Sequence, residues 1–218
     1  MNKSIDIEGG FISTFSKIAD TILLCILWLI CCIPVVTVGV ASGALYYAYH
    51  KAIRQDGGHP FRAFFTALKS NFLQATGIWL VLFIYTVVSL AACFLLRAVR
   101  DSVPLTGVFL ALGVAVVGFV MMWGLVLFPY QARFKNTTAA VLKNSAILTI
   151  ANLPWSILLL LLFAVAVGVT LFKPALCLPV AAMDLWLSNI ILERIFRKVM
   201  TEEERLQEVE TDEMKHRQ

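Results

Sequence analysis

"LICCIPVVTVGVASGALYY", residues 29–47, decides the fold, because it places a proline in the middle of an apolar run that extends from Ile18 to Tyr49. One straight helix over that run would be about 48 Å long at 1.5 Å per residue, against about 30 Å of membrane hydrocarbon. Two geometries resolve the excess: a single helix kinked at Pro34, or a hairpin that turns there. Pro34 removes a backbone donor and disfavours helix at Ile33, and Gly39 supplies the next hinge. A single crossing with Tyr46, Tyr47 and Tyr49 at the inner interface beside Lys51 would strand "IADTILLCIL" in water. A hairpin keeps that segment in lipid, with arms of only about 24 Å each, and is the favoured geometry.

The rest of the chain has the same character. Of its 218 residues, 60% are hydrophobic and 15% charged, and the mean hydropathy is +0.83, against about 25% charged for a soluble domain. Further apolar runs cover 72–96, 104–130, 147–172 and 174–192, each long enough to cross a bilayer as a helix. The strands of an outer-membrane barrel would alternate in polarity, and these runs do not. The expected fold is therefore all-α: a polytopic bundle of six membrane helices with the first two as a short hairpin around Pro34, or five spans if the first is one kinked helix. Residues 1–200 form a single transmembrane domain, and 201–218 an acidic cytoplasmic tail.

Charge sets the orientation. Lys51, Arg54, Arg62, Lys69, Arg133, Lys135, Lys143, Arg194, Arg197 and Lys198 fall on one set of connections, and only Arg97, Arg100 and Lys173 on the other. Positive charge accumulates on the cytoplasmic side, so the hairpin places both termini in the cytoplasm. The net charge of +4 is spread over these connections rather than gathered on one face, which argues against nucleic-acid binding. The five cysteines, Cys25, Cys31, Cys32, Cys93 and Cys177, lie in or beside apolar segments and read as core or lipid-facing thiols.

Motifs for catalysis are missing: there is no phosphate-binding glycine loop, no H-E-x-x-H and no G-x-S-x-G. The three histidines are far apart in sequence, and neither a cofactor nor a metal is expected; the chain reads as non-enzymatic. One polar strip stands out in the last apolar run, "MDLWLSNIILER". It carries Asp184 and Ser188, then Asn189 and Glu193, at turn spacing. A charge at the centre of a span costs about 2.5–3.5 kcal/mol, so the strip is either a transport or proton site or an interhelical hydrogen bond to a residue such as Tyr85, Thr86 or Asn152.

Gly39 and Gly43 make a small-xxx-small pair that permits close helix approach. After "DGGH", Pro60 opens a helix in which Phe61, Phe64, Phe65 and Leu68 recur at helical spacing with Arg62 and Lys69. This predicts an amphipathic helix on the inner membrane surface, its basic groups reaching lipid phosphates. "LKSN" at 68–71 and "LKNS" at 142–145, each followed by a tryptophan and a long apolar run, suggest a weak parallel repeat.

Three stretches, "CCIPVVTVGVASGALYYAYHKAIRQDGG", "FRAFFTALKSNFLQATGIW" and "LFPYQARFKNTTAAVLKNSAILTIANLP", resemble the YesL-like family of bacterial membrane proteins, mostly from Gram-positive organisms. The most specific element runs from Ile33 through Pro34 and Thr37 to Gly39. The resemblance implies no catalytic activity and an association with carbohydrate uptake, since genes for such importers often lie beside it. It points to an auxiliary subunit of an ABC-type carbohydrate importer in the cytoplasmic membrane, in contact with lipid and with the permease and ATPase subunits. The chain departs from a permease itself, since "KAIRQDGGHPFRAFF" lacks the Glu-Ala-Ala of the loop that docks the ATPase. A stand-alone small-solute transporter, or a sensor or assembly factor working through the tail, are the alternatives.

Overall fold

The computed structural model describes residues 3–54, 59–98, 106–134 and 136–198. Among them the chain is all-helical: α1 Lys3–Cys32, α2 Val38–Ala48, α3 Pro60–Ser70, α4 Phe72–Ala98, α5 Thr106–Arg133, α6 Thr138–Ala151, α7 Leu153–Phe172 and α8 Cys177–Phe196. A 3₁₀ turn spans Val35–Thr37, a π-helical turn Tyr49–Arg54 extends α2, and a second 3₁₀ turn, Pro174–Leu176, leads into α8. By length and composition α4, α5, α7 and the segment Pro174–Phe196 can each cross a membrane, and α6 is a shorter apolar helix. The acidic tail lies outside the described residues.

At Pro34 the chain reverses. The indole Nε1 of Trp28 donates to Ser42 Oγ at 3.3 Å, and Leu24 and Cys25 of α1 share one buried cluster with Ala44, Leu45 and Ala48 of α2. Residues on either side of the turn therefore face each other, as a kinked continuous helix would not allow. The turn is closed by its own groups: Thr37 Oγ1 donates to the carbonyls of Cys31 at 2.5 Å and Pro34 at 2.7 Å, and the Thr37 amide also reaches the Pro34 carbonyl.

The glycines of α2 fix its neighbours. A Cβ on Gly39 would fall 2.7 Å from the Phe128 ring and from Trp79 Cβ; one on Gly43 would fall 2.7 Å from the Phe128 carbonyl oxygen. So α2 runs parallel to α5 and antiparallel to α4, closer than any side chain would permit. Gly113 meets Cys93 Sγ across α4 and α5, whereas Gly118 faces open space.

Burial is concentrated at one end of the bundle, the end holding Phe72, Arg133 and Phe196. On α5 the buried residues apart from Thr106 lie between Met122 and Gln131; on α7 they are Ser156 and Leu159; on α8 they begin at Leu185. A cluster of Tyr46, Val126, Phe128, Tyr130, Val141, Ile195 and Phe196 fills this end. The opposite halves of the spans are largely exposed, as at Val88, Phe94, Phe109, Leu112, Leu171 and Phe172, which suits helices solvated by lipid.

The helix expected after Pro60 is α3, and its pattern serves two surfaces. Phe64 and Ala67 are buried against α2 with Leu68 half-buried beside them, while Phe61, Arg62, Phe65 and Lys69 are exposed. The apolar run 147–172, expected as one span, is divided at Asn152. Pro154 cannot donate to Ile150, and Lys198 Nζ holds Asn152 Oδ1 at 2.6 Å. A repeat is visible in this architecture, but not in the register that the Lys69 and Lys143 motifs imply. Short helices α3 and α6 each end at an asparagine, Asn71 and Asn152, and a long apolar helix starts one residue later.

Gly43→Ala is expected to cost about 1–3 kcal/mol through overpacking against the Phe128 backbone, whereas Gly118→Ala should stay within about 0.5 kcal/mol of the parent. Thermal unfolding of both variants in detergent measures the difference.

Candidate functional site

The buried polar groups converge on Glu193, one turn before the end of α8. Its side chain is 4% exposed, and a carboxylate so placed needs both charge compensation and hydrogen bonds. Three elements supply them to the same oxygen, Oε1. Tyr46 of α2 donates its hydroxyl at 2.5 Å, the Arg133 guanidinium at the end of α5 forms a hydrogen-bonded ion pair, and His50 Nδ1 lies 3.1 Å away. Arg133 Nη1 also donates to the Tyr46 hydroxyl at 3.3 Å.

Local structure brings these groups together. Tyr46 and His50 are four residues apart, and their rings stack with centroids 6.0 Å apart and planes within 8°. His50 belongs to the π-helical turn, a geometry often found at functional positions because it redirects a side chain. Phe196 packs edge-on against Tyr46, Tyr130 and Phe134, closing the cluster with aromatic surface. Beside it, Arg194 lies over the Trp155 ring at 4.9 Å, and Tyr130 accepts from Asn136 and Asn144. The arrangement can hold a carboxylate ionised in a nearly dry setting and tie α2, α5 and α8 to one atom.

The predicted strip on α8 thus separates into two sites. Asn189 and Glu193 are buried within the bundle, with Asn189 1% exposed. Asp184 lies nine residues earlier, about 14 Å along the helix. Asp184 and Ser188 are half-buried, and Asp184 Oδ1 is buried without a hydrogen-bond partner. The three groups considered as its partners are engaged elsewhere or face outward: Tyr85 is exposed, Thr86 donates to the Leu82 carbonyl, and Asn152 accepts from Lys198. Among the described residues no group of three His, Cys, Asp or Glu side chains is placed to hold a metal ion.

Sequence reasoning missed Tyr46, His50 and Arg133 as members of the site. Arg133 read as a loop charge and Tyr46 as an interface marker, and nothing in their spacing links them to Glu193, which is 60 residues from Arg133 and 147 from Tyr46. The available signal was physical: an acid near the end of a span demands a cation at the same depth, and Arg133 closes the "LFPYQAR" span end.

A cavity of about 10 Å³ lies between α2, α3, α4 and α5, lined by Gly39, Gly43, Ala67, Asn71, Ala75 and Gln131 among others. It has room for about one water molecule. Gln131 is 2% exposed, and both polar atoms of its carboxamide lack hydrogen-bond partners.

Residues 21–92 match a family described as "Protein of unknown function, DUF624", and the YesL-like family that the sequence resembles is a DUF624 family. The matched segment takes in the later part of α1, the turn at Pro34, α2, α3 and most of α4. No curated protein matches the chain. No solved structure matches it either.

Removing one side of the buried pair should cost far more than removing both. Glu193→Leu removes the carboxylate on which Arg133, Tyr46 and His50 converge and is expected to lower stability by about 3–5 kcal/mol, with most of that regained in Glu193→Leu combined with Arg133→Met. Thermal unfolding of the two single variants and the double variant in detergent reads the coupling directly.

Proposed function

We propose that this chain is a non-enzymatic auxiliary subunit of an ABC-type carbohydrate importer in a bacterial cytoplasmic membrane, held laterally against the permease and its ATPase. The observation that carries the reading is the contrast between the two ends of the bundle. The buried ionisable groups Tyr46, His50, Arg133 and Glu193 are engaged with one another, whereas the spans present long apolar faces outward, among them Val81, Ile84 and Val88 of α4 and Leu161 and Val165 of α7. Such faces suit contact with lipid and with helices of a larger membrane assembly. The link to carbohydrate uptake rests on the YesL-like resemblance.

Six membrane-embedded helices, α1, α2, α4, α5, α7 and α8, accompany this reading, with both termini cytoplasmic. Lys51, Arg62, Lys69, Arg133, Lys143, Arg194 and Arg197 belong to the elements gathered at the Glu193 end, and Arg97 and Lys173 to the other, a distribution that supports a cytoplasmic Glu193 end. There the exposed Phe61, Arg62, Phe65 and Lys69 of α3 suit the lipid headgroup layer.

A second reading, a stand-alone small-solute transporter, draws on the unpartnered Oδ1 of Asp184 within α8. Native purification followed by mass spectrometry separates the two. Permease and ATPase subunits co-eluting with the chain are the expected result. Recovery of the chain alone, together with solute uptake by the pure protein in liposomes that Asp184→Asn abolishes, would establish the transporter instead.

A further inference from the structure

The depth of the turn at Pro34 can be read from two neighbouring helices independently. The Trp79 indole donates to the Val35 carbonyl at 2.7 Å. Trp79 is the eighth residue of the 27-residue α4, so the turn lies about 10 Å above the start of α4 and about 28 Å short of its other end. On α5, Gly39 abuts Phe128. The 22 residue steps from Phe128 back to Thr106 extend about 33 Å, and Val35 is about 6 Å above Gly39, which again leaves about 27 Å of span beyond the turn. The agreement follows from the parallel run of α2 and α5, which continues down to Tyr46 and Arg133.

The chemistry of the turn fits that depth. Ile33 is 78% exposed, and Val35 and Val36 are also exposed; the segment 29–41 carries no charged residue. A turn in water can leave its peptide groups to solvent, but one in hydrocarbon must satisfy them internally, at a cost of several kcal/mol for each failure. Here four of the turn's carbonyls are met from within the protein: those of Ile30, Cys31, Pro34 and Val35 accept, respectively, from the Ile33 amide, the Thr37 hydroxyl, the Thr37 amide and hydroxyl, and the Trp79 indole with the Val38 amide. Pro34 has no amide to satisfy. The three apolar side chains that would be a liability at an aqueous surface, Ile33, Val35 and Val36, are at home in acyl chains.

We propose that α1 and α2 form a re-entrant hairpin that enters and leaves the membrane on the Glu193 side, and that its apolar tip is covered by lipid acyl chains reaching in from the opposite leaflet. The far half of the bundle then consists of α4, α5, α7 and α8, which accounts for the concentration of buried residues at the near end. The hairpin remains a pair of membrane-embedded helices, but its turn stops short of the opposite surface, where the length arithmetic of the sequence would put it. The proposal is independent of the carbohydrate-importer reading, since it concerns only where the turn sits.

Spin-label accessibility in liposomes tests it. In a cysteine-free background, single labels at Val36→Cys, at Arg97→Cys on the far end of α4 and at Lys51→Cys on the near end are compared for collision with oxygen, which concentrates in hydrocarbon, and with a water-soluble nickel chelate. The expected result is high oxygen and lost nickel accessibility at position 36, with nickel reaching positions 51 and 97. Nickel accessibility at position 36 matching that at 97 would place the turn at the far surface and overturn the proposal. Exclusion of both reagents would mean that protein, a second copy or another helix, covers the tip, and would overturn the lipid assignment. If removal of the cysteines prevents folding, the unmodified chain gives the same decision. Cys31 and Cys32, next to the turn, should resist a membrane-impermeant maleimide applied from either face, as read by peptide mass spectrometry. Their modification from the Arg97 face would refute the re-entrant geometry.

Discussion

A carboxylate taken out of water has to be compensated where it stands, and in this chain that requirement falls on Glu193. Desolvating one charge costs several kcal/mol unless a counter-charge and hydrogen bonds replace the lost water. Arg133 supplies the charge, Tyr46 the hydrogen bond, and His50 a third polar neighbour. Because the groups come from α2 with its π-helical turn, α5 and α8, three otherwise apolar helices are locked at a single depth. Apolar packing between membrane helices is permissive about register, since a slide exchanges one methyl contact for another. The Glu193 oxygen is not permissive, and the aromatic cluster of Phe196, Tyr130 and Phe134 is assembled around the register that it imposes.

The height of the hairpin follows from that lock. With Tyr46 level with Arg133, the glycines at 39 and 43 fall against the ring and the backbone of Phe128 respectively, which leave no room for a Cβ, and Val35 comes within reach of the Trp79 indole. Each contact constrains the next along α2. An 11-residue helix anchored at its lower end cannot extend to the far end of a 27-residue neighbour, so the bundle is densely packed at one end and open to lipid at the other.

This asymmetry bears on how the protein works. Side chains that could have served a solute path at the buried end are used in holding the helices together, and Asp184, half-buried higher on α8, stands outside the clasp. The outer faces of α4 and α7 are broad, apolar and uninterrupted by charge, which is the surface a membrane-embedded partner would meet. An auxiliary role and a lipid-covered hairpin tip are compatible, since both place the working surfaces of the molecule in contact with the bilayer rather than around an internal cavity.

The sequence alone determined the helical class, the membrane-length apolar runs and the amphipathic helix after Pro60, and it favoured a reversal at Pro34 over a kinked helix. All of these follow from local quantities: the length of an apolar run against bilayer thickness, the spacing of Phe61, Phe64, Phe65 and Leu68, and a proline that cannot donate. It also marked Glu193 as a polar group in the last helix, because a charge in an apolar segment is conspicuous wherever it occurs. The break at Asn152 was less legible, since an apolar run hides a change of direction that Lys198 helps to hold from 46 residues away. What only the tertiary structure decided is which helices share a depth. The partners of Glu193, the separation of Asp184 from it, and the height at which the hairpin stops all depend on contacts between elements distant in the chain, and no period or spacing in one dimension encodes how far one helix slides along another.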